Sequence, residues 1–314
     1  MSTPSGTSDP VRFPALCSPP SHPSRLLIPL CSMDSSVGPL PLPFPPGIPT
    51  GAATNGGGDS GLIEVVPVPI LTDNIAYLLV DGAAAAAVDP AVPAEMVRAA
   101  IDRGVAITAV LTTHKHWDHA SGNAEMAANL PGAPIYGSAV DPPPAITHPL
   151  TPPTPFKWGT LTITPHGAAA HTIGSLLYHV TSPTDAAGVL FTGDTLFTAG
   201  CGRFFEGTPA AMVAAAATIR GLPSATRVYG GHEYTAANVA FGRAVEPGNA
   251  DLAALEGAVR VKRARGELCV PSCVGAEGGW NVFCRTAVAG VAAAVGGGGE
   301  EEVMAKLRSW KNRL

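Results

Sequence analysis

Charge is scarce in this chain of 314 residues: 14% are Asp, Glu, Lys or Arg, and 19 basic against 24 acidic side chains give a net charge of −5. With no basic excess to attract a polyanion, nucleic acid is not an expected partner. No apolar run reaches the ~18 residues that a membrane span needs, so no membrane association is expected. Nothing resembles a secretory signal with a clear cleavage site. Aromatic residues make up only 6%, and the six cysteines, at 17, 31, 201, 269, 273 and 284, contain no Cys-x-x-Cys pair. Cys269 and Cys273 could bind a metal or form a disulfide, but free thiols are the expectation for an intracellular protein. No internal repeat is apparent, and a monomer is expected.

What is present is enough apolar material, 46% of residues, for a sizeable core. Residues 1–60 stand apart, rich in Pro, Ser and Gly and ending in Asn55-Gly56-Gly57-Gly58, with too little periodic apolar content to bury a core. They read as a disordered leader. Its acidic residues are only Asp9, Asp34 and Asp59, beside Arg12 and Arg25, which keeps a mitochondrial or plastid transit peptide open, while the proline density keeps cytoplasm an equal choice. Beyond it, strand-like runs at 63–68, 76–80 and 106–110 alternate with helical segments such as 94–103, which opens after Pro93 and closes at Gly104. The class is therefore α/β. After Tyr234 the strands fade: 251–265 carries Leu252, Leu255 and Val259 on one stripe, and 300–313 carries Val303, Leu307 and Trp310. The stretch 287–299 reads as a short helix and a loop.

The densest chemistry lies in Thr113-His114-Lys115-His116-Trp117-Asp118-His119, three imidazoles and a carboxylate directly after the apolar run 105–111. On an extended segment the side chains of 114, 116 and 118 point one way, and 119 re-aims as the chain turns, so one loop could address two neighbouring ions. His171 and His232 both follow strand-like runs, and Asp194 ends the apolar run 189–193, where a buried carboxylate needs a partner. Imidazole with carboxylate suits Zn, Fe or Mn, and seven ligands for two ions leave positions open for water and substrate.

This order of motifs, His-x-His-x-Asp-His, a single His, Gly-Asp-Thr and Gly-His, resembles the metallo-β-lactamase superfamily. Leu71-Thr72-Asp73-Asn74, the run 112–119, Thr192-Gly193-Asp194-Thr195-Leu196-Phe197, the run 200–207 and Gly231-His232-Glu233-Tyr234-Thr235 narrow the resemblance to the glyoxalase II (hydroxyacylglutathione hydrolase) family over residues 62–314. The resemblance implies an αββα sandwich at 61–234 and a small helical, glutathione-binding C-terminal domain at 235–314. It implies two divalent ions, zinc first and iron or manganese as alternatives. His114, His116 and His171 would hold one, Asp118, His119 and His232 the other, and Asp194 would bridge them. Asp118 and Asp194 are then the carboxylates at the reacting centre. A hydroxide between the ions would attack the thioester of an acylglutathione, S-D-lactoylglutathione being the expected substrate, as in methylglyoxal detoxification. Arg203, Phe205, Tyr234, Arg308 and Lys311 match the family's substrate-binding positions.

The chain departs from that pattern at four places. Lys115 replaces a histidine, on a side chain expected to face away from the ions. Phe205 replaces a common tyrosine, Ser175 stands where a second histidine is common, and Asn281-Val282-Phe283 replaces Asn-Pro-Phe. Two other readings stay open: a persulfide dioxygenase working with a single iron, and a non-catalytic protein on the same scaffold.

Overall fold

A strand buried on both faces should be apolar at every interior position, and residues 75–80 of the strand Asn74–Asp81 are. Ile75, Tyr77 and Leu79 face one core, while Ala76, Leu78 and Val80 face a second, as the two-residue period of a strand requires. That alternation builds the whole architecture. The computed structural model describes residues 61–314, so the leader, with Cys17 and Cys31, lies outside the described residues.

The first sheet comprises β1 (Glu64–Ile70), β2 (Asn74–Asp81), β3 (Ala84–Val88), β4 (Ala106–Leu111), β5 (Ile135–Ser138) and β6 (His148–Leu150), in that spatial order. Its first three strands pair antiparallel and the rest parallel. The β3-to-β4 crossover is made by α1 (Pro93–Arg103), with proline at its start and Gly104 in the left-handed conformation at its end. α2 (Trp117–Ala120) and α3 (Asn123–Asn129) follow β4. The second sheet uses β7 (Phe156–Trp158), β8 (Leu161–Gly167), β9 (Leu176–Thr181), β10 (Val189–Gly193), β13 (Arg227–Gly230) and β14 (Ser272–Cys273), ordered β14-β13-β10-β9-β8-β7. A small hairpin, β11 (Leu196–Phe197) and β12 (Gly200–Cys201), lies between β10 and α4 (Pro209–Arg220).

Three apolar layers separate four structural ones. Met96, Ala100 and Met126 close the outer face of the first sheet. Tyr77, Leu79 and Leu111 meet Ile163, Tyr178, Val180 and Phe191 between the sheets. Leu190 and Val228, on the other face of the second sheet, pack with Met212 and Ile219 of α4. This is the αββα sandwich; truncating a fully buried member such as Leu79 to alanine would cost about 2–5 kcal/mol.

The remaining helices are α5 (Thr235–Val245), α6 (Ala250–Ala264), α7 (Val274–Trp280), α8 (Ala289–Ala294) and α9 (Glu300–Lys311), with a 3-10 turn at Val282–Cys284. Leu252, Val259, Val303 and Leu307 are buried, as their stripes predict. The strands do not end at Tyr234, however. β14 returns to the edge of the second sheet, pairing Val228 with Ser272 and Arg227 with Cys273; two residues are too few to show a period of two. The four described cysteines are free, and among the described residues no helix is long and apolar enough to cross a membrane.

Candidate metal centre

The loop after β4 is extended only as far as His116. The amides of His119 and Ala120 bond back to the His116 carbonyl at 3.1 and 2.9 Å, so Asp118 and His119 lie on the first turn of α2 rather than on a continued strand. The helical turn is what separates their direction from that of His114 and His116.

Three imidazoles converge at one side. His116 Nδ1 lies 3.0 Å from His114 Nε2 and 2.9 Å from His171 Nε2. A tetrahedral ion with bonds of ~2.0–2.1 Å spaces its ligand atoms by roughly 3.3 Å, so these nitrogens stand at ligand separation. On the other side, His232 Nε2 is 3.4 Å from Asp118 Oδ2, and His119 Nε2 is 3.7 Å from the same oxygen. Asp194 reaches both groups: Oδ1 is 3.2 Å from His119 Nε2, and Oδ2 is 3.4 Å from both His171 Nε2 and His232 Nε2. His119 Nε2 and Asp194 Oδ1 are buried with no hydrogen-bond partner. A native interior rarely tolerates such orphans, and a pair of divalent ions fits this donor set.

A second ring of groups turns three of the five imidazoles. The Arg203 carbonyl accepts from His171 Nδ1 at 2.9 Å, Asp73 Oδ1 from His232 Nδ1 at 2.8 Å, and Asp89 Oδ2 from His119 Nδ1 at 3.0 Å. Each of these bonds puts the ring proton on Nδ1 and leaves Nε2 free to ligate. Asn74 Nδ2 donates to Asp118 Oδ2 at 3.0 Å. Asp89 also accepts from the Thr113 amide and hydroxyl, each at 2.7 Å, from a backbone with φ of 51°. Behind the ligands there is no room for a side chain. A Cβ on Gly231 would lie 2.6 Å from His119 Cε1, and one on Gly202 1.9 Å from the Asp194 carbonyl.

The electrostatics divide the same way. Burial, helped by neighbouring histidines, pushes His114 well below its ordinary value, and burial lowers His171. Burial also opposes charge on His119 and His232, but carboxylates outweigh it: Asp194 and Asp89 hold His119 well up, and Asp118 and Asp194 raise His232 to about 10. Asp194, despite a burial penalty, is held well below the carboxylate range by His119 and His232. The carboxylates of Asp89, Asp118 and Asp194 thus favour positive charge beside them.

Of the expected substrate residues, Arg203 and Phe205 lie on the exposed loop after β12. The Phe205 ring stands edge-on to His116 and His171, at 5.8 and 5.2 Å. Tyr234 stacks on His232 at 4.6 Å with an interplanar angle of 6°, and burial, followed by Asp73 and Asp194, raises its phenol to about 12. Arg308 and Lys311 share a face of α9 but are brought to the hairpin and α5, not to the ligands: Arg308 Nη1 donates to the Cys201 carbonyl at 2.7 Å, and Lys311 bonds to Asn238. Lys115 points away, pairing with Asp141 at 2.9 Å and Glu206 at 2.8 Å. Ser175 accepts from the Thr172 amide at 3.1 Å.

Asp73, Asn74 and Asp89 carry no assigned role in the sequence reading. Asp89 was findable: like Asp194 it ends an apolar strand, and the rule that singles out one carboxylate singles out the other.

The metallo-beta-lactamase superfamily model matches residues 74–232, and a model described as hydroxyacylglutathione hydrolase C-terminus matches 233–314. The chain is 38% identical over 275 residues to a hydroxyacylglutathione hydrolase of Cupriavidus taiwanensis, a match covering 81% of this chain and 100% of that protein. The chain belongs to the hydroxyacylglutathione hydrolase family of the metallo-beta-lactamase superfamily. A solved metallo-beta-lactamase of Staphylococcus aureus shares the fold at 21% identity, with a TM-score of 0.55 over 79% of this chain and 67% of that one. ETHE1 from Myxococcus xanthus aligns at 23% identity with a TM-score of 0.49, covering 55% and 76% of the two chains.

Proposed function

We propose that this protein hydrolyses the thioester of an S-(2-hydroxyacyl)glutathione, S-D-lactoylglutathione first among them, to glutathione and the free 2-hydroxy acid. The reading places it in methylglyoxal detoxification. The observation that carries it is the pair of ligand clusters sharing Asp194, at a mouth flanked by Phe205, Arg203 and Tyr234. His114, His116 and His171 would hold one divalent ion and Asp118, His119 and His232 the other, with Asp194 between them; zinc is the expected metal, with iron and manganese as alternatives. Bound there, divalent ions supply Lewis acidity toward a carbonyl oxygen and water acidified to near neutral pH.

The chain's own residues supply orientation. Asp73, Asp89 and the Arg203 carbonyl fix the ligand rings, so little reorganisation accompanies charge development. A thiolate whose conjugate acid has a pKa near ~8.5 leaves without a strong proton donor, which suits a site with no general acid among its seven ligands. Arg203 offers a cation for a glutathione carboxylate, and the Tyr234 phenol, held protonated, can donate to a peptide carbonyl. Arg308 and Lys311 add positive charge from α9.

The test is release of free thiol from S-D-lactoylglutathione by metal-loaded protein, with His116→Ala as control and oxygen uptake on glutathione persulfide measured in parallel. Thiol release that the control loses supports the hydrolase. Oxygen uptake without thiol release would replace it with the dioxygenase reading, and neither activity would leave a non-catalytic protein.

A further inference from the structure

The hairpin of β11 and β12 has two residues per strand, too few to hold its own shape. Its backbone is instead held from outside. Asn281 Nδ2 donates to the carbonyls of Gly200 at 3.0 Å and Phe197 at 3.4 Å. Asn238 Nδ2 donates to the Thr198 carbonyl at 3.0 Å, and Arg308 to that of Cys201. The Ala199 amide donates to Glu277 Oε2 at 3.0 Å. Ala199 sits at φ of 58°, a left-handed conformation that a non-glycine residue keeps only when its surroundings impose it. Glu277 is 1% exposed, and the same oxygen accepts from Asn281 Nδ2 at 2.8 Å.

Both ends of this hairpin meet the metal centre. Phe197 stands edge-on to His232 and to Tyr234, at 5.8 and 5.2 Å. After Cys201, the Gly202 amide bonds back to the Thr195 carbonyl, and the next carbonyl, that of Arg203, fixes His171 Nδ1. A displaced hairpin would therefore disturb His232 in one ligand cluster and His171 in the other.

We propose that Glu277 and Asn281 are positioning residues for the metal centre: the buried pair sets the hairpin, and the hairpin sets His171 and His232. The α7 segment then has a role in metal binding that is separate from substrate binding. This inference rests on the metal-centre reading but not on the identity of the substrate.

The experiment loads full-length protein with cobalt(II), following the visible d–d spectrum and the affinity, and compares wild type with Asn281→Ala and Glu277→Met, which keeps the length of the side chain and removes its acceptor oxygens. A third variant, Val291→Ala, loosens the buried core at α8 without touching these hydrogen bonds. Expected is a shifted spectrum and cobalt affinity weakened by about tenfold or more in the first two variants. On the thioester, kcat should fall while KM stays within about twofold. Val291→Ala, though its melting temperature falls, should keep the wild-type spectrum. Wild-type spectra and affinities in both the Asn281 and Glu277 variants would overturn the proposal, and so would an equal change in Val291→Ala. If Asn281→Ala does not fold, Glu277→Met decides alone. A wild type that binds cobalt but cleaves no thioester would overturn the substrate reading and leave the cobalt comparison intact.

Discussion

Asp73 Oδ1 lies 2.8 Å from His232 Nδ1, a carboxylate from the β1–β2 turn aligning an imidazole 159 positions away. This bond fixes which ring nitrogen faces Asp118 and Asp194. Asp73→Ala should weaken one of the two metal equivalents by roughly 10–100-fold and leave the other near wild type. Stepwise removal by a chelator, with bound metal counted at each step, checks it: two equivalents lost together at the wild-type chelator concentration would contradict the assignment.

Phe205→Tyr tests the mouth of the site. The ring is 62% exposed and stands beside His116 and His171, so a hydroxyl can be added without repacking. One new hydrogen bond to substrate is worth about 0.5–1.5 kcal/mol, so KM for the acylglutathione should fall by less than about tenfold with kcat little changed. Steady-state kinetics of the two proteins decide it, and a rise in KM would remove Phe205 from the substrate surface.

Lys311 gives a pH signature. Burial lowers its amine from 10.5 to about 8. The unfolded chain therefore binds this proton more tightly than the folded one, and the charged amine costs stability. That cost is fully present below about pH 8 and disappears above pH 10.5. Lys311→Met should stabilise the protein at pH 7 by on the order of 1–3 kcal/mol, less about 0.5–1.5 kcal/mol for the bond to Asn238. The gain should vanish at pH 10.5. Urea unfolding at the two pH values measures it, and an equal effect at both would contradict the sign.

The clustering of the candidate residues was legible in part because histidine is a rare residue type and several of them follow strands: β4, β10 and β13 bring His114, Asp194 and His232 to one edge. The layers were expected from the family resemblance, and the run 75–80, apolar at every position, fits a strand covered on both faces. What stayed hidden is settled by contacts between distant segments. The helical turn at Trp117–Ala120 has four residues and no apolar stripe of its own. β14 has two, and its place on the second sheet depends on a pairing with β13 more than 40 positions earlier in the chain. Arg308 and Lys311 read correctly as neighbours on one helix face, yet whether that face meets substrate or the Cys201 carbonyl depends on how α9 packs, which periodicity cannot express. Asp73 and Asn74 belonged to a motif without a role until His232 and Asp118 were placed beside them.

The most direct measurement of the account is a titration of metal-free protein with zinc, following thiol release from S-D-lactoylglutathione at each addition. Two ligand clusters joined by Asp194 predict that activity rises to a plateau at about two equivalents per chain and that Asp194→Ala abolishes it. A plateau at one equivalent, or full loading with no thiol released, would contradict the account.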